Sequence, residues 1–168
     1  LSLFARLNEE LARENVYGEI YLVGGAVMCL VFDARQSTID VDAYFEPSQA
    51  IRKAAARVAR AEQVSDKWLN DAVKAYLSPT GKFAPFQTLS HLSVMTAQAD
   101  YLLAMKCLAM RIGGEYHDVD DIRYLLRFQN IETYDEALAS IRKFYPIEKY
   151  PSRTLYALEE ILGGSESQ

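Results

Sequence analysis

Asp40 and Asp42 stand one residue apart in the stretch YLVGGAVMCLVFDARQSTIDVDAYF, residues 21 to 45, and Gly24 and Gly25 break the apolar run before them. Carboxylates at i and i+2 of a strand project from one face and repel each other, so the pair has reason to share a cation. Mg²⁺ or Mn²⁺ held by a couple of carboxylates, with substrate phosphates filling the remaining positions, is the common result. A solvated polar strand face is the plainer reading of the same spacing. The glycines bear on the choice. Lacking a Cβ, they let backbone N–H groups approach a phosphate, and a helix N-terminus behind them favours anions, whereas a tight turn would need them only for a positive φ. Taken together, the two features point to a metal-dependent nucleotide site.

Lys106 is the only charge within YLLAMKCLAM, a run apolar on nearly every side. Such a lysine either snorkels to the surface or meets an anion, because an unpaired buried charge is expensive. Asp118 and Asp121, 12 and 15 residues further on in YHDVDDIRYLL, open another helical segment. One of them reads as a cap or first-turn partner of the helix dipole. The other is free to join Lys106 if the two helices pack antiparallel. His117 is either an accessory acid or base or a surface histidine without a role. Arg52, Lys53, Arg57 and Arg60 fall within about 140° of arc on a helix, opposite Ile51, Ala55 and Val58. That arrangement is a solvated face or, were a polynucleotide present, its first docking surface.

The elements that must position these residues follow from periodicity. Leu3, Leu7 and Leu11 give residues 2 to 14 one buried helical stripe, EIYLV is β-rich, and AVMCLVFDA reads as a short buried helix. In STIDVDAYF, Ile39, Val41, Ala43 and Phe45 face one way, while Asp40, Asp42 and Tyr44 face the other. A helix follows Pro47, with Ser48 expected as its N-cap. Residues 68 to 98 are less regular, with WLNDAV, a turn-rich SPTGKFAPF and a strand in TLSHLSVMTA. From Asp100 the pattern is helical through DYLLAMKCLAMRI, DVDDIRYLLRFQN, TYDEALASIRKFY and PSRTLYALEEILGG. The expectation is one α/β (α+β) domain over residues 1–168, with an α/β part to about 98 and a helical part from about 99 to 164 sharing its core.

Composition sets the outer bounds. The chain has 168 residues, 50% hydrophobic and 24% charged, which supports one domain with a core. A net charge of -5 argues against gripping nucleic acid with the whole surface and leaves room for a local basic patch. Cys29 and Cys107 lie in apolar runs and read as buried core residues of a reducing compartment. No segment approaches the roughly 20 apolar residues of a membrane span, and the first residues are unlike a secretory signal, so the expected location is the cytoplasm. The chain opens on leucine rather than methionine, which reads as a trimmed start.

The order of Gly24-Gly25, Arg35 and Thr38, Asp40-x-Asp42, LLAMKCLAMR and HDVDDI resembles the minimal nucleotidyltransferase fold of the AbiEii and MenT type, toxin halves of bacterial toxin–antitoxin pairs. VGGAVMCLVFDARQSTIDVDAYF with WLNDAV looks like a small branch of that group, and the likeness runs from about residue 15 to 160. The resemblance implies a mixed sheet flanked by helices, then a C-terminal helical part. It also implies transfer of a nucleoside monophosphate from an NTP to an acceptor, RNA such as a tRNA 3′ end or a protein, with a cognate antitoxin as a further partner. On this pattern Asp40 and Asp42 match the metal-binding pair, Gly24 and Gly25 the phosphate-cradling turn, Lys106 the helix lysine, and Asp121 or Asp118 the last carboxylate, with Asp121 preferred by spacing. Arg35 is placed to reach the triphosphate. Two departures stand out: Gly25 occupies a position where many nucleotidyltransferases carry serine, and residues 86 to 99 contain no third acid. The departures keep open a degenerate member that binds nucleotide or a partner without turnover.

Overall fold

In the computed structural model, residues 2–34, 40–111 and 116–163 are described. The chain divides into two compact units, one of Leu1–Leu77 with Phe83–Ala97, the other of Ser78–Lys82 with Gln98–Gln168. The architecture is mixed α/β with a C-terminal helical part, as the periodicity predicts.

The first unit contains α1 (Ser2–Arg13), β1 (Gly18–Leu22), α2 (Gly24–Leu30), β2 (Val41–Glu46), α3 (Ser48–Glu62), β3 (Leu69–Asn70), β4 (Phe83–Thr88) and β5 (Leu92–Ala97). The five strands form one sheet in the order β3-β2-β1-β5-β4. β1 runs antiparallel to β2 and parallel to β5, β3 is parallel to β2, and β4 and β5 are antiparallel. Alternation decides which face closes. Ile20 and Leu22 of β1, Ala43 and Phe45 of β2, and Leu92 and Val94 of β5 are buried. α1 contributes Leu7 and Leu11 and α3 contributes Ile51 and Val58 to this core, and the two helices pack against each other. Glu19, Tyr21, Asp42, Tyr44 and Glu46 alternate with the buried positions and stay partly or fully exposed.

Three local expectations change. The first turn of α3 starts at Ser48 itself, with Pro47 in extended conformation at the N-cap position. The turn-rich reading of residues 78–86 holds to Lys82, where Gly81 N donates to Ser78 O, and gives way from Phe83 to β4, whose hairpin partner β5 starts only at Leu92. WLNDAV, read as irregular, supplies β3 and a 3₁₀ turn at Ala72–Tyr76. Trp68 anchors this segment: it is 3% exposed, its indole Nε1 donates to Ala55 O of α3 at 3.0 Å, and its own carbonyl accepts from Val41 N at 2.8 Å.

The second unit is built from α4 (Ala99–Leu108), α5 (Asp118–Phe128), α6 (Tyr134–Arg142) and α7 (Ser152–Gly163). α4 is buried from Tyr101 through Cys107, which is why its sequence is apolar on nearly all sides; α5 and α6 pack on it. Thr133 caps α6 in a reciprocal box: its Oγ1 accepts from Glu136 N at 3.2 Å, and the Glu136 carboxylate accepts from Thr133 N at 3.2 Å. Thr154 of α7 donates to Cys107 O at 2.8 Å. Burial pushes the Cys107 thiol well above its ordinary range, so it is a packing residue rather than a nucleophile. Among the described residues, no helix is long and apolar enough to cross a membrane.

Candidate active site

Asp42 lies on β2, next to the point where β1 ends and α2 begins. Leu22 pairs with Ala43 in the antiparallel register, and Val23 N donates to Asp42 O at 3.0 Å, so the chain must turn into α2 beside the Asp42 side chain. Gly24 makes that turn with φ +66. A Cβ at Gly24 would stand 3.1 Å from Asp42 Oδ2, closer than ordinary van der Waals contact. Glycine is required here twice, by the left-handed backbone and by the carboxylate. Gly24 of the first pair and Asp42 of the second thus meet in space.

Gly24→Ala tests this junction. Forcing a methyl group onto a left-handed residue against Asp42 is expected to lower stability by about 1–2 kcal/mol, read as a lower urea midpoint with an unchanged slope. At an ordinary turn glycine with open space, the steric share of that loss would be missing.

The remaining residues of this half fall as follows. Asp40 occupies the bend immediately before β2 and is exposed, while Asp42 is half-buried. Gly25 is buried in the first turn of α2. With seven residues, α2 is too short for its dipole to carry much of an anion site, so the close backbone approach at Gly24 is the stronger feature. Arg35 and Thr38 lie outside the described residues. Asn70 was not singled out from the sequence: it stands opposite Asp42 in the β2–β3 register, and its Nδ2 donates to Asp42 Oδ1 at 2.7 Å. A two-residue strand shows no alternation, so only the resemblance of WLNDAV drew notice to this segment.

Carboxylate oxygens are the donors a hard cation takes. Asp42 has Oδ2 beside Gly24, Asp40 stands exposed in the bend two residues earlier, and among the described residues no group of three or more His, Cys, Asp or Glu side chains gathers that could hold a metal ion by itself. A Mg²⁺ on two carboxylates would take its other positions from water and substrate phosphates.

The second cluster belongs to the helical unit. Lys106 does not snorkel. It is 9% exposed, and its Nζ lies 2.8 Å from Asp121 Oδ2 and 3.3 Å from Asp118 Oδ1. Both aspartates therefore meet the lysine, and both also lie in the first turn of α5, the place the sequence reading assigned to one of them; His117 occupies the N-cap position of α5 and is exposed. Asp118 Oδ2 also accepts from Arg111 N at 3.0 Å and Nε at 2.9 Å, and the Arg111 guanidinium lies over Tyr116 at 4.4 Å. Burial pushes the Asp118 carboxyl upward, but the Arg111 hydrogen bonds and the Lys106 charge outweigh it, and the net result lies below the usual carboxylate range. The anion that Lys106 was expected to need is thus supplied from within.

The basic face of α3 is also partly spoken for. Arg57 bonds Glu10 at 2.8 Å and Glu14 at 3.0 Å, and Arg52 pairs with Asp71. As a docking surface for a polynucleotide it offers less charge than its sequence suggests. No family profile, curated protein or solved structure matches the chain.

Proposed function

We propose that this protein is a Mg²⁺-dependent nucleotidyltransferase, acting in the cytoplasm to transfer a nucleoside monophosphate from an NTP to a macromolecular acceptor, RNA or protein. The observation that carries the reading is the meeting of the Gly24 turn with Asp42, whose Oδ2 lies 3.1 Å from where a Cβ on Gly24 would stand. The backbone of that turn lies beside the carboxylate, so a phosphate brought to it would be within reach of a cation on Asp42. Asp40 and Asp42 would hold Mg²⁺ or Mn²⁺, whose chemistry is to offset phosphate charge and polarise the attacked phosphorus. The protein's own part is to fix the triphosphate against the turn and to keep the carboxylates oriented, so that catalysis is positioning with electrostatics. The resemblance in the motifs extends the proposal to a toxin held in check by a cognate antitoxin.

A second reading has an observation of its own. With Lys106 neutralised by Asp118 and Asp121, and with Gly25 lacking a hydroxyl, a protein that binds nucleotide without turnover fits the same residues. Steady pyrophosphate release would sink that alternative.

Thermal melting tests whether the site binds at all. At about 100 times Kd, Mg²⁺ with NTP should stabilise the protein by roughly 2.7 kcal/mol, a rise of about 5–10 °C for a chain of this size. Asp42→Asn should lose the metal-dependent part of the rise. An unchanged midpoint with every metal and every NTP would make the acid pair a solvated strand end.

A further inference from the structure

We infer that Asn70 is the positioning residue of the Asp42 carboxylate, holding Oδ1 so that Oδ2 stays presented at the Gly24 turn. The inference rests on the metal-site reading above and adds to it a residue the motifs do not assign. Its basis is a chain of contacts, each of which fixes the next. Trp68 is locked to α3 through its indole N–H on Ala55 O, and its carbonyl accepts from Val41 N, which places β3 beside β2. That register sets Asn70 opposite Asp42. Arg52 then pairs with Asp71, holding the next residue of the same segment to α3.

The amide of Asn70 is itself oriented. Its Oδ1 accepts from Ala72 N at 3.3 Å, which leaves Nδ2 to donate to Asp42 Oδ1 at 2.7 Å. The flipped amide would set an oxygen against a carboxylate oxygen and lose both bonds, so the donor assignment is determined by its neighbours. With Oδ1 tied, the Asp42 carboxylate cannot turn freely, and Oδ2 remains at the glycine, 3.1 Å from where a Cβ would be. A neutral donor at this position orients the ligand oxygen without adding a third negative charge, the role that hydrogen-bonding neighbours of metal-ligating carboxylates perform. An acid in place of Asn70 would repel Asp42, and an apolar residue would leave it free to rotate.

The test measures Mn²⁺ binding to the full chain by water-proton relaxation, with the metal alone and with each of the four NTPs, for the wild type, Asn70→Ala and the similarly shaped Asn70→Leu. Both variants should bind Mn²⁺ about tenfold or more weakly than the wild type, while their metal-free melting midpoints stay within a few degrees of it. Wild-type affinity in the variants would overturn the positioning role and leave the metal-site reading standing. No Mn²⁺ binding by the wild type would overturn both. Loss of fold in both variants would also overturn it, because Asn70 would then be a strut of the β2–β3 junction.

Discussion

Asp42→Asn is expected to leave a folded protein that transfers no measurable nucleotide, with a rate at least about a thousandfold below wild type. The size follows from what the carboxylate is asked to do: several kcal/mol of transition-state charge stabilisation through a bound cation corresponds to about three orders of magnitude in rate. The fold should survive because the contacts that hold residue 42 do not need its charge. Asn keeps an oxygen to accept from Asn70 Nδ2, and the backbone bond from Val23 N to residue 42 O is untouched. The variant therefore separates chemistry from stability. A melting midpoint near wild type together with absent label transfer is the expected pair of results, checked by melting without metal and by transfer from α-labelled NTP. Transfer at wild-type rate would show that Asp42 is only part of a polar strand end.

Lys106→Met carries the largest expected effect on stability. Met fills nearly the same space in α4, but it leaves Asp118 and Asp121, each about 5% exposed, facing the place of the lost ammonium. Removing one partner of a buried ionic group costs about 3–5 kcal/mol, and the loss here falls at the lower end because Asp118 keeps its bonds from Arg111. Replacing all three residues with apolar ones should cost far less, because no buried charge then loses its partner. The pH dependence has a definite sign. In the wild type the Asp118 carboxyl lies below its ordinary range, so its stabilisation is fully present above about pH 4 and is lost as pH falls through the depressed folded value. In Lys106→Met the charge that helps hold the Asp118 carboxyl low is gone, so the deficit against wild type should be greatest near neutrality and narrow on acidification. Urea midpoints taken from pH 7 down to pH 3 check this, and a deficit independent of pH would mean that Lys106 matters for packing alone.

The legible parts of this chain are those with enough repeats to average out noise. The leucine spacing marks α1, although its buried face takes Phe4 with Leu7 and Leu11 rather than Leu3, the alternation through Val41, Ala43 and Phe45 marks β2, and a run as apolar as YLLAMKCLAM had to be a central helix. β3 was hidden because two residues carry no period; its existence depends on Trp68 reaching Ala55, a contact between residues 13 apart in the chain. β4 was hidden by Pro85, Gly81 and Pro79, which signal turns, whereas Pro85 sits at a register shift on the outermost strand, where a missing N–H is tolerated. For the candidate site, the glycine and acid motifs announced themselves by type, but that Gly24 abuts Asp42 follows from the antiparallel return of β2 along β1, which no local pattern encodes. Lys106 was flagged as needing an anion; that it takes two aspartates, both from the first turn of α5, depends on how α5 packs against α4.

Nucleotidyl transfer is tested most directly by label transfer. Purified protein with Mg²⁺ and each of the four α-labelled NTPs in turn is mixed with total cell RNA and protein, with Asp42→Asn run alongside. Label is expected in a macromolecule with at least one NTP, absent in the variant, and the labelled species names base and acceptor together. Silence with all four NTPs, from protein shown to be folded, would contradict nucleotidyl transfer.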